Sequence, residues 1–155
     1  MLDSEEAALW HALHRLIVSY WAEVDENAGR HAHEFYMPDG LYIVGNSRFE
    51  GEDKIRAFYT RRGHGGVVTR HLISNLRVFG GDDARHARMV GLMSLYRADG
   101  MSPFQGARPP AMIADFEARC VLRDDGSWRF QSHELRPFII GHDMPASIMI
   151  KPQAV

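Results

Sequence analysis

The chain has 155 residues, 45% of them hydrophobic and 25% charged, with a net charge of −2. That length suits one domain with a real core and is too short for two, and the near-neutral balance removes the electrostatic case for nucleic acid or an anionic membrane surface as partner. The single cysteine, Cys120, rules out an intrachain disulfide, and no apolar run approaches the roughly 20 residues that span a bilayer.

The opening MLDSEEAALW is acidic and lacks the basic and apolar regions of a secretory signal, so a cytoplasmic location is expected. From Ser4 to Glu26 the residues Leu9, Leu13, Leu16, Ile17, Tyr20 and Val24 recur at three- and four-residue steps. This spacing predicts a helix with one apolar stripe. Ser4 followed by Glu5 and Glu6 suits its start. A second short helix is predicted at about Arg30–Met37, stopped by Pro38 and Asp39-Gly40. Leu41–Val44 reads as a short strand and Gly45–Gly51 as a loop. Glu52–Arg62 reads as a third helix with Ile55, Phe58 and Tyr59 inward, broken by Gly63, Gly65 and Gly66.

The second half changes character. Val67–Phe79, Ala84–Arg97, Ala111–Leu122 and Trp128 to about Ile140 read as four long strands. Gly80-Gly81-Asp82-Asp83, the Gly- and Pro-rich stretch Asp99–Pro110, and Asp124-Asp125-Gly126 connect them. The order predicts an α+β fold: a strongly curved antiparallel sheet wrapped by about three N-terminal helices, enclosing a cone-shaped apolar pocket. A single domain spans 1–155, with its core at about 5–141 and a C-terminal arm at 142–155.

Asp25 enters late in a core-facing helix, and His71 sits inside the run VVTRHLISNLRVF on the strand face shared by Thr69, Ile73 and Asn75, with Leu72, Leu76 and Val78 opposite. A carboxylate and an imidazole meeting in an apolar cleft form a general-base pair that needs no cofactor. The plainer alternatives are a helix cap or a solvent-facing position for Asp25, and a half-buried hydrogen-bonded histidine for His71. Tyr20 lies on the apolar stripe, where a buried hydroxyl must find a partner. Arg136 alternates in phase with Trp128, Phe130, Ser132 and Glu134, and an Arg136–Glu134 surface pair is the plain alternative for it. No metal site is expected: His31 and His33 are two apart on a helix and face different ways, and His11 and His14 lie off the main stripe. Cys120 alternates with Met112, Phe116 and Leu122 and reads as core.

Four segments carry a family resemblance: SYWAEVDENAGRHAHEFYMPDG, GEDKIRAFY, TRHLISN and DGSWRF. In this order and spacing the chain resembles the SnoaL-like branch of the nuclear transport factor 2-like superfamily, near the scytalone dehydratase and bile acid dehydratase group. In the dehydratase-like members an aspartate at the end of helix one orients a histidine on the first long strand, and Asp25 and His71 match those positions. The resemblance also implies roles for Tyr20, five residues before the aspartate, and for Arg136 on the last strand. MVGLMSLY lacks the second histidine of scytalone dehydratase, which argues against scytalone as substrate.

The expected activity is therefore that of a cofactor-independent lyase or isomerase. Its substrate would be a small hydrophobic cyclic, polyketide-, steroid- or aromatic-like molecule. The catalytic set would be Asp25, His71, Tyr20 and Arg136, in a homodimer or homotrimer. The alternative is a non-catalytic ligand-binding or assembly protein resembling the small β-subunit of a ring-hydroxylating dioxygenase. In that case side chains could fill the pocket and leave Asp25 and His71 apart.

Overall fold

A computed structural model describes residues 3–142 and 144. The chain folds as α1 (Ser4–Asn27), a 3-10 turn (Ala32–Phe35), β1 (Tyr36–Val44), β2 (Ser47–Glu50), α2 (Glu52–Gly63), β3 (Val67–Gly80), β4 (His86–Asp99), β5 (Met112–Leu122) and β6 (Trp128–Ile140). The expected α+β class holds. The C-terminal arm lies almost wholly outside the described residues.

The cap of α1 is Asp3 rather than Ser4. Its carboxylate accepts from the Glu6 amide, and the Glu6 side chain accepts from the Asp3 amide, a reciprocal capping box. The helix stops where Ala28 turns left-handed (φ 56°). The short second helix shrinks to one 3-10 turn because β1 already begins at Tyr36. Pro38 is tolerated in β1 because it falls in the register gap between Tyr36 and Leu41, where no ladder donor is needed. The expected loop Gly45–Gly51 instead holds β2, joined to β1 by the two-residue turn Gly45-Asn46.

The six strands form one sheet in the order β2-β1-β6-β5-β4-β3, antiparallel except for the parallel β1–β6 pair. It curls without closing, so β2 and β3 remain edges. Helix α1 buries Leu13, Ile17, Tyr20, Trp21 and Val24 on the concave face, and α2 adds Ile55, Phe58 and Tyr59.

Two irregularities decide which side chains face inward. In β3 the register against β4 shifts between Ser74 and Arg77, around Asn75 at φ 54°. Asparagine adopts this left-handed conformation more readily than most residues. Upstream of the bulge Thr69, His71 and Ile73 point in and Leu72 is exposed; downstream Leu76 and Val78 point in. The strict alternation expected from sequence, with Leu72, Leu76 and Val78 on one face, is therefore broken. In β6 the register shifts between Phe130 and Ser132. Phe130, His133 and Leu135 are consequently buried, while Arg136 turns outward.

Candidate active site

Trp21 and Asp25 are four apart, one helical turn on the same flank of α1, and that flank faces β3. Trp21 stacks on the His71 imidazole, with ring centroids 4.0 Å apart and planes at 10°. Asp25 Oδ1 lies 2.6 Å from His71 Nδ1, while Oδ2 accepts the His71 backbone amide at 2.8 Å. Thr69 Oγ1 donates to Oδ1 at 2.8 Å, and Arg62 donates to Thr69 Oγ1 at 3.4 Å. Both side chains of the pair are nearly enclosed, 8% exposed for Asp25 and 4% for His71. His71 Nε2 has no protein hydrogen bond among the described residues.

Burial and hydrogen bonding shift the titration of both members of the pair. Burial pushes the Asp25 carboxyl up, but the hydrogen bonds from His71 and Thr69 outweigh it, so its pKa falls below the usual carboxylate value. For His71 burial dominates over the pull of Asp25, and its pKa lies below the ordinary 6.5. The result is a neutral imidazole beside an ionised carboxylate at neutral pH, with Asp25 fixing the Nδ1–H tautomer and leaving Nε2 without a proton.

The pair opens onto a cavity of about 600 Å³, within the range that takes small organic ligands. Val24, Tyr42, Phe58, Tyr59, Met93 and Leu135 are among its walls, and Arg30, Arg61, Arg62 and Arg97 also line it.

Tyr20 lies one layer behind this cavity. It is fully buried and hydrogen-bonds the hydroxyl of Tyr59, a cavity wall. Tyr36 donates to Tyr20 at 3.0 Å, and its hydroxyl lies 3.2 Å from His133 Nδ1. Assigning each hydroxyl one donated bond orders the chain as His133 Nδ1–H to Tyr36, Tyr36 to Tyr20, and Tyr20 to Tyr59. Tyr59, which also hydrogen-bonds Tyr42, can then turn its own proton to the cavity when Tyr42 donates to it. Burial holds all three phenols well above their ordinary pKa, so each keeps its proton. Burial, aided by the nearby His71, pulls His133 down to about 3, so it stays neutral.

Arg136 is not brought to this cavity. It is half exposed on the convex face of the sheet, 3.7 Å from Glu117 and 3.9 Å from Glu134. Sequence reasoning set it in phase with Phe130, and the β6 bulge breaks that phase. The same bulge turns His133 inward, a residue the alternation pattern gave no reason to select. Tyr59 was legible only as an inner-face residue of α2. Cys120 is buried, with its thiol pushed up by burial, as a core residue would be. His31 is largely exposed and His33 buried, but instead of facing apart both approach the same Glu34 carboxylate oxygen, at 3.0 and 3.9 Å.

The model of the SnoaL-like domain matches residues 5–134. The chain belongs to the SnoaL-like domain family. No curated protein matches it. Among solved structures it is similar to a provisionally assigned scytalone dehydratase from Novosphingobium aromaticivorans, at 17% identity and TM-score 0.78, covering 99% of this chain and 100% of that one. It is also similar to a Catenulispora acidiphila protein in complex with S-DNPA (16% identity, TM-score 0.69, 84% and 94% covered). A third is the β-subunit of a provisionally assigned aromatic-ring-hydroxylating dioxygenase from N. aromaticivorans (13% identity, TM-score 0.72, 87% and 92% covered). At these identities the likeness is one of fold. The SnoaL-like chain thus shares with them an α+β fold with a curled, open six-stranded sheet.

Proposed function

We propose that the protein is a cofactor-independent lyase or isomerase that abstracts a proton α to a carbonyl on a small hydrophobic cyclic substrate. The observation that carries this reading is the 2.6 Å contact between Asp25 and His71 at the wall of a cavity lined by both apolar side chains and arginines. His71 Nε2 takes the proton, and Asp25 orients the ring and stabilises the imidazolium. Tyr59, with Tyr20 donating to it from behind, gives its hydrogen bond to the developing enolate oxygen. In a dehydration the imidazolium proton then passes to the β-hydroxyl, which leaves as water as the C–O bond breaks. Each such acid–base contribution is worth about 10²- to 10⁴-fold in rate, and one oxyanion donor about 10²- to 10³-fold. Arg136 has no part in this mechanism. The neighbours named for scytalone dehydratase and for an S-DNPA complex support a small-molecule site of this kind.

The test is a panel of cyclic β-hydroxyketones in D₂O, followed by mass spectrometry for deuterium uptake and loss of water. The wild type should exchange and dehydrate at least one member, with His71→Ala and Asp25→Asn slower by about 10²-fold or more. Turnover that persists in His71→Ala would sink the reading.

The convex face of the sheet leaves Leu72, Phe79, Tyr96 and Ile139 exposed, with Phe138 beside them at 75%. Such an apolar spread favours a homo-oligomer, a dimer or trimer built on this face. Sedimentation equilibrium should show more than a monomer at micromolar concentration, and Phe138→Ser should shift the balance toward monomer. An oligomer in which neither exchange nor dehydration occurs would favour the assembly role.

A further inference from the structure

Arg62 occupies a position the proposed mechanism does not use. It lies at the C-terminal end of α2, half-buried, and lines the cavity. Its guanidinium sits 5.9 Å from the centroid of the Tyr59 ring. Its hydrogen bond, to the neutral Thr69 hydroxyl, is long at 3.4 Å. Among the described residues no carboxylate comes within ion-pairing distance of it, nor of Arg30 and Arg61, which line the same cavity. Two acids line the cavity, and of these Asp25 is committed to His71. A half-buried guanidinium with most of its five donors unused is costly unless something anionic completes it.

Building on the proton-abstraction reading, we propose that the substrate carries a carboxylate, bound inside the cavity by Arg62, with Arg30 and Arg61 drawing the anion to the rim. Arg62 stands between the Tyr59 ring and the Thr69–Asp25–His71 chain. An acid gripped there presents its ring carbons to His71 Nε2 and its carbonyl to the Tyr59 hydroxyl. Arg62 is thus the specificity-determining residue, and the substrate class narrows to cyclic or aromatic acids. The fork of guanidinium donors matches a carboxylate and has no such match for a neutral amide.

The probes are 2-naphthoate and the isosteric 2-naphthamide, titrated calorimetrically at neutral pH into wild type, Arg62→Gln, Arg62→Lys and His71→Ala. The wild type should bind the acid more tightly than the amide, on the order of tenfold to a hundredfold, the worth of a charge-assisted hydrogen bond. Arg62→Gln should erase the preference while keeping the amide affinity and the thermal midpoint, which shows that the fold and the cavity survive. Arg62→Lys should retain part of the preference, and His71→Ala all of it. Equal affinity for acid and amide, no measurable binding of the acid, or a preference that survives Arg62→Gln overturns the proposal. So does a preference lost only in His71→Ala, because the imidazolium would then hold the anion. Binding does not require turnover, so failure of the dyad chemistry in the hydroxyketone screen leaves this readout intact, and the two ideas fail separately.

Discussion

His71 is caught between two opposed influences, and their order sets a pH profile. Burial lowers its pKa below 6.5 and Asp25 pulls it back up. In the proposed mechanism the neutral ring is the base, so the rate should rise with pH through a midpoint below 6.5 and stay flat above it. In Asp25→Asn the upward pull disappears, so the midpoint should move to lower pH while the rate itself falls. An NMR titration of the His71 imidazole alongside pH–rate profiles checks this, and a midpoint moving upward would contradict it. The tyrosine chain yields a second pair of outcomes. Tyr59→Phe removes the donor facing the cavity and leaves the buried Tyr20 proton without its acceptor, so it should lower kcat by about 10²-fold and cost about 1–3 kcal/mol of stability. Tyr20→Phe acts through Tyr59: it orphans the Tyr36 proton in the core and should cost about 1–3 kcal/mol of stability, measured by urea unfolding, with a smaller loss of rate. Asp25 and His71 were legible in the sequence because a carboxylate late in an apolar stripe and a histidine in an apolar strand are both out of place. Tyr59 was not singled out, because a tyrosine on an inner helix face looks the same whether its hydroxyl feeds a cavity or only the core.

The elements themselves followed from periodicity, since the 3.6-residue stripe of α1 and the long β-branched runs leave little choice of type. What periodicity cannot supply is a change of phase within a strand. The bulge at Asn75 inverts the side chains that follow it in β3, and the shift between Phe130 and Ser132 inverts those of β6 as far as Pro137, where a second shift follows. They explain why Leu76 and Val78 face in, why His133 is buried and why Arg136 points away from the cavity. The β3 bulge is testable through its backbone. Asn75 holds φ 54°, and a β-branched residue there pays roughly 1–2 kcal/mol. Asn75→Val should therefore destabilise by about that amount, whereas Asn75→Gly should be near neutral. Opposite the bulge, Gly91 leaves room for a neighbour: a Cβ there would lie 2.7 Å from the Phe116 ring and 2.9 Å from the Ser74 carbonyl. Gly91→Ala should also lower the urea midpoint, because the Ser74 backbone cannot give way. Both substitutions lie far from His71, so their effect on stability should exceed their effect on kcat.

At the scale of the whole molecule, the sheet and the helices close over a histidine that cannot take a charge. His133 is fully buried among Tyr20, Trp21, Tyr36, Tyr42 and Phe130, and among the described residues its Nε2 has no hydrogen-bond partner. Its folded pKa of about 3 lies below the ordinary 6.5. Between these two values the unfolded chain binds a proton that the folded chain refuses. Stability must therefore fall as pH drops from 6.5 toward 3, by up to about 1.4 kcal/mol per pH unit. His71 is also lowered and acts in the same direction. Asp25, whose pKa is depressed as well, adds its own loss only at lower pH, once the carboxylate begins to protonate below its ordinary 3.8. Urea unfolding from neutral to acidic pH should show the wild type losing stability more steeply than His133→Phe. That variant keeps an aromatic ring in the cluster and removes the proton site, and its own steady offset at neutral pH does not affect the comparison of slopes. Coinciding slopes would mean that the folded core admits a charge at His133, and with it enough water to break the donor order from His133 through Tyr36 and Tyr20 to Tyr59.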